Sequence, residues 1–155
     1  YTKDIEIDFD QKANKAYVND KKQNIKKVFS TPINIQDMVS TYYYLRNNID
    51  INKIKIGDEF KTEMFFDEEN YGFKLKYLGD EIIDTEFGKV EALIFRPSVM
   101  SGRVFKEEES LTLWVTKDKN KVPLRIKADL RVGSLRADLE AFKGLKHPFK
   151  IVVPN

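Results

Sequence analysis

Outside one stretch, the apolar residues of this chain recur at every second position, a period that fits strands and excludes most helices. Ile5, Ile7 and Phe9 alternate with Asp4, Glu6, Asp8 and Asp10, and Phe60, Thr62, Met64 and Phe66 share a face. Tyr71, Phe73, Leu75 and Tyr77 form another inward row, with Lys74 and Lys76 between them. A separate short strand is expected at Glu81 to Thr85. Later, Leu124, Ile126, Ala128 and Leu130 point one way while Arg125, Lys127, Asp129 and Arg131 point the other. After the turn or bulge at Val132-Gly133 the alternation resumes with Leu135, Ala137 and Leu139. Polar clusters such as Gln11 to Asn14, Asn19 to Lys22, Asp67 to Asn70 and Lys117 to Lys121 separate these runs. Such short connections join antiparallel neighbours. Leu93, Ile94 and Phe95 are apolar on both faces, so that strand should be covered twice. Pro97 to Glu109, with Gly102 and a charge run, reads as a long loop. A meander of about ten such strands must curl strongly or close partly.

The exception is Pro32 to Asn48. Ile35, Met38, Val39, Tyr42 and Leu45 recur there at spacings of three and four, which lays one apolar stripe along a helix. Asn34 reads as the N-cap, with Asp37 completing a capping-box-like pair and Ile33 stapling onto Met38. The expected fold is therefore mainly β: a curled antiparallel sheet, an open barrel or half-barrel, with one central α-helix packed in its concave face. At 155 residues the chain has the size of one domain, and residues 1–155 read as a single β-rich domain.

Electrostatics selects no partner. The 27 basic and 25 acidic side chains are interspersed and leave a net charge of +2, which builds no field for nucleic acid or an anionic membrane. No apolar run is long enough to span a bilayer as a helix, and no leader pattern is present. The absence of cysteine excludes disulfides, thiolate nucleophiles and cysteine metal sites. The start at Tyr1, without Met, fits a processed or excised segment.

No reaction can be read from the remaining residues, and no catalytic residue, metal site or cofactor is assigned. Same-face residues on a strand lie about 7 Å apart, too far for Asp4, Glu6, Asp8 and Asp10 to converge on one ion. His147, the one histidine, has no nucleophile arrangement near it in sequence, and the glycines are scattered singly. Trp114 points opposite to Leu111, Leu113 and Val115, either as an aromatic platform or as a ring buried with its N–H bonded. Tyr42, Tyr43 and Tyr44 spread over about 200° of helix surface, so they cannot all enter one core. Arg46, in the last helical turn, suits the helix dipole and can also anchor a ligand. If the space between sheet and helix is not full, its candidate lining is Met38, Tyr42, Leu45, Arg46, Phe73 and Trp114.

Gln36-Asp-Met-Val-Ser-Thr-Tyr-Tyr-Tyr-Leu-Arg46, Ile56-Gly-Asp58, Leu113-Trp-Val-Thr-Lys-Asp118, Pro123-Leu-Arg125 and Gly133-Ser134 together resemble a bacterial family of exported proteins, domain of unknown function 3108. The resemblance implies an exported protein, periplasmic or associated with the outer membrane. It also implies an antiparallel sheet curled into an open barrel around a helix, similar in shape to periplasmic lipoprotein carriers. Members carry further strands ahead of the first ones here, so an N-terminal portion is expected to be missing. The family has no established catalytic residues to carry over. The leading expectation is thus an uncharacterised, non-enzymatic cell-envelope protein that binds an apolar or lipid-like ligand between sheet and helix. The alternative is a non-catalytic structural or protein-interaction module of the envelope, docking a partner protein through the sheet edge near Tyr1 to Phe9.

Overall fold

The computed structural model describes residues 4–99 and 111–153. The strands expected from the alternation are present: β1 (Ile5–Asp10), β2 (Lys15–Asp20), β3 (Ile25–Ser30), β4 (Glu59–Phe66), β5 (Glu69–Thr85), β6 (Gly88–Val99), β7 (Leu111–Thr116), β8 (Pro123–Asp129) and β9 (Ser134–Asp138). One helix, α1 (Met38–Asn48), interrupts them. The fold is mainly β and antiparallel, but it is built as two sheets rather than one: β1-β2-β3, and β4-β5-β6-β7-β8-β9. Among the described residues neither sheet closes into a barrel. No described helix is long and apolar enough to cross a membrane.

Two details of the strand reading change. Pro97 to Val99, expected in a loop, continue β6, and the rest of that expected loop lies outside the described residues. The rows on either side of Gly79 merge into one strand of 17 residues. Gly79 adopts φ +134°, a conformation that L side chains rarely take, so the chain passes the apparent break without leaving the ladder.

Backbone contacts divide the chain into two compact units, Tyr1–Asn47 with Lys61–Phe73, and Asn48–Phe60 with Lys74–Asn155. In the first, the register of β1-β2-β3 sets three inward rows: Phe9, Ala16 and Phe29; Ile7, Val18 and Lys27; Ile5, Asp20 and Ile25. The first row packs on Phe65, whose ring lies 5.9 Å from Phe9 and 5.5 Å from Phe29, and Ile35 completes this core. Ile35 is fixed there by backbone pairing. Gln36 N donates to Glu63 O at 3.0 Å and Phe65 N donates to Gln36 O at 2.7 Å, a single parallel bridge onto β4.

That bridge delays the helix. The N-cap is Asp37, not Asn34: Asp37 Oδ1 accepts from Val39 N at 2.7 Å and Ser40 N at 2.8 Å, while Asp37 N donates to Ser40 Oγ at 2.9 Å. Asn34 instead takes the left-handed conformation, φ 60°, in the turn before the bridge. The buried helix positions are Thr41 and Leu45; Met38 and Val39, expected in the buried stripe, are exposed in the first turn.

In the second unit β6 is covered on both faces, with consecutive Ala92 and Leu93 at 0% and 1% exposure. Ala92 joins Ile83, Val90 and Leu124, against which Trp114, Leu139 and Phe149 pack. A register shift between Trp114 and Val115 breaks the expected row on β8: Trp114 pairs with Arg125, but Val115 pairs with Pro123. Leu124 therefore reaches the Ala92 cluster, whereas Ile126 and Leu130 are exposed. The C-terminal segment is clamped by fully buried Asn120, whose Nδ2 donates to His147 O at 2.9 Å and whose Oδ1 accepts from His147 N at 3.0 Å. Asp118 Oδ1 holds that turn by accepting from Thr116 Oγ1 at 2.8 Å and Asn120 N at 2.7 Å.

The position of the cap is testable by urea unfolding followed by circular dichroism. Asp37→Ala is expected to cost about 1 kcal/mol and Asp37→Asn only a few tenths, because Asn also caps through its side-chain oxygen.

Candidate functional site

The inward rows of β1-β2-β3 extend further than the core they cover. Phe9, Ala16, Val18 and Phe29 are packed with Phe65 and Ile35, but the rest of the two outer rows faces a hollow of about 660 Å³. Ile5, Ile7, Val18, Ile25 and Lys27 form one wall. Met38 and Val39 from the first turn of α1, with Phe65 and Phe66 from the end of β4, form the rest of its apolar lining. Ile5, Ile7, Ile25, Met38 and Val39 are each exposed despite facing this one space, so the cleft is apolar and open to solvent. Its volume falls within the range of small-molecule sites, roughly 300–1,000 Å³.

Charged groups border it. Lys27, in the middle inward row beside Val18, reaches Glu68 in the turn between β4 and β5, with Nζ at 2.9 Å from Oε1 and 2.7 Å from Oε2. Both Asp67 and Glu68 in that turn have left-handed backbones, φ 48° and 66°. Two-residue hairpin turns of this kind favour Asn-Gly, so Asp-Glu is a strained choice. Asp20 Oδ1 accepts from Lys22 N at 3.0 Å and Gln23 N at 2.9 Å, and Asp37 is fixed by the helix cap. On the outer sheet face, Glu6 pairs with Lys21 at 3.0 Å. Among the described residues no three His, Asp or Glu side chains converge as a metal site.

Of the six residues expected to line a ligand space, Met38 lines this cleft and the other five do not. Tyr42 is half-buried, with its ring 5.5 Å from Tyr43, and burial pushes its phenol well above the ordinary tyrosine value. Leu45 is buried. Arg46 holds its guanidinium 5.7 Å above the Tyr43 ring. Phe73 is half-buried on β5. Trp114 belongs to the second unit, where its Nε1 donates to Glu81 Oε1 and Arg125 lies 6.0 Å from its ring centroid. Arg125 in turn donates to Asp138 at 2.6 Å, and the hydrogen bond from Arg136, with that from Arg125, holds the Asp138 carboxyl below the usual carboxylate range. The Trp114 ring is thus engaged by its own neighbours rather than left as a bare platform.

Reading the sequence missed Lys27. The signal was present: Ile25, Lys27 and Phe29 share one face of β3, so the period puts an ammonium on a side otherwise apolar. Ile25 and Val39 were legible as apolar, but nothing local separates an apolar side chain under a core from one over a cleft.

Residues 1–140 match the model of a family described as protein of unknown function, DUF3108. No curated protein and no solved structure matches the chain.

The burial of Tyr42 gives an alkaline signature. Its folded-state value is raised above the unfolded one, so the stability it contributes is fully present below about pH 10 and falls as pH rises through the folded value. Urea unfolding across that range is expected to show a shallower alkaline loss for Tyr42→Phe than for the parent chain.

Proposed function

The chain belongs to the DUF3108 family of proteins of unknown function, and on that premise we propose that it is a non-enzymatic, exported envelope protein that holds an apolar, lipid-like ligand in the cleft between β1-β2-β3 and the first turn of α1. The observation that carries this reading is the set Ile5, Ile7, Ile25, Met38 and Val39, drawn from three separate elements and left exposed around one hollow. Covering apolar surface is worth about 25 cal/mol per Å², so leaving these side chains uncovered forgoes stabilisation that a bound acyl chain would recover. The location in the periplasm or at the outer membrane is part of the same proposal and rests on the sequence resemblance described above. A second reading, an envelope interaction module, is favoured by one feature: β1 and β3 are the edges of a three-stranded sheet, and edge strands can receive a strand from another protein.

Native mass spectrometry of the protein, with titration of an uncharged fluorescent probe carrying a single alkyl chain, tests the leading reading. Saturable binding at one site is expected, and Val39→Arg, which places a charge on an exposed wall position, is expected to weaken it at least about tenfold, or 1.4 kcal/mol, with an unchanged circular dichroism spectrum. Absence of saturable binding, or an undiminished affinity in Val39→Arg, would overturn it.

A further inference from the structure

We infer that the ligand of this cleft is an amphiphile with a positively charged, amine-type head; the inference rests on the apolar-ligand reading and adds the sign of the head group. Asp20 and Asp37 line the cleft together with Asp67 and the Lys27–Glu68 pair, so carboxylates outnumber ammonium groups in its lining, in a chain whose total charge is +2. The contrast is local and lies at the apolar walls. Asp20 occupies the outermost inward row, between Ile5 and Ile25, and Asp37 stands beside Met38 and Val39 on the helix. Each is held by two backbone N–H groups, so these charges are fixed before any ligand arrives.

Lys27 does not reverse this preference. Both oxygens of Glu68 already sit on its Nζ, so a ligand carboxylate would have to replace one carboxylate by another. That exchange is close to neutral, because a half-exposed ion pair is worth about 1 kcal/mol at most. The incoming anion would also sit near Asp20 and Asp37, whereas an ammonium or guanidinium head leaves the Lys27–Glu68 pair intact and is attracted by those two carboxylates.

Three ligands with the same chain separate the terms: dodecylammonium, dodecanol and dodecanoate, each below its aggregation concentration at neutral pH and low salt, measured by displacement of the uncharged probe. Dodecylammonium is expected to bind about tenfold more tightly than dodecanoate, with dodecanol between them, and the ratio should shrink in roughly 0.5 M salt as surface charges are screened. In the double variant Asp20→Asn with Asp37→Asn, which keeps side-chain oxygens for the turn and the cap, the ratio is expected to fall to within about threefold. The ratio is the readout because a general loosening of the cleft weakens all three ligands together. Equal affinities, tightest binding of dodecanoate, or a ratio unmoved by the double variant would overturn the charge inference while leaving the apolar cleft in place. If none of the three binds, the apolar-ligand reading fails as well.

Discussion

The packing of Phe65 against Phe9 and Phe29 is the contact on which the first unit depends. A three-stranded sheet draws its stability from burying one hydrophobic face. Here a single aromatic side chain from β4, with Ile35 beside it, covers one inward row and Val18, the centre of the next. Beyond Val18 the sheet is held in place by its own ladder rather than by a core. Ile5, Ile7 and Ile25 are therefore free to form a wall, and the position of Phe65 decides where the core stops and the cleft begins.

The second unit meets the same requirement differently. β6 lies between β5 and β7 and is covered on both faces from Ala92 to Phe95, so that stretch carries no alternation to show which side is inward. The register shift opposite Trp114 then sends Leu124 to one layer and leaves Ile126 outside it. Beyond the strands, the turn built on Asp118 and Asn120 fixes the C-terminal segment through its backbone at His147. This explains why His147, chemically the most versatile residue in the chain, is placed by its main chain. Phe149 reaches the Ala92 cluster and stacks with Phe142 at 4.6 Å, so the segment adds apolar cover to the strands.

Strands were legible in the sequence because a half-buried strand imposes strict alternation, as at Ile5 to Asp10 and Tyr71 to Tyr77. Of the latter row, Tyr71, Leu75 and Tyr77 are buried and Phe73 is half-buried. The helix was legible in outline but displaced at its start. Asn34 and Asp37 are both good caps, and the choice between them was made by the backbone bridge of Gln36 to β4, a long-range contact with no local signature. The same contact explains the error in the stripe: a helix that begins at Met38 presents Met38 and Val39 in its first turn, where the cleft takes the place of a core. Of the candidate site, the apolar residue types were visible; their convergence from β1, β3, α1 and β4 required the fold.

The strained turn at Asp67 and Glu68 connects these points. Asn-Gly at the same two positions would relieve the left-handed backbone, yet it would also remove the carboxylate that meets Lys27. Lys27 sits in a row with Ile7 and Val18, where its stem can lie along apolar neighbours while its half-exposed ammonium meets Glu68. An apolar residue at that position would leave the inward face of β3 apolar from Ile25 to Phe29, on an edge strand open to unwanted pairing. An inward-pointing lysine discourages such pairing, and Glu68 in the turn gives it a counter-charge. The inward charge of Lys27 is thus the kind of device that lets an edge strand carry an apolar wall exposed to solvent with less risk of unwanted pairing.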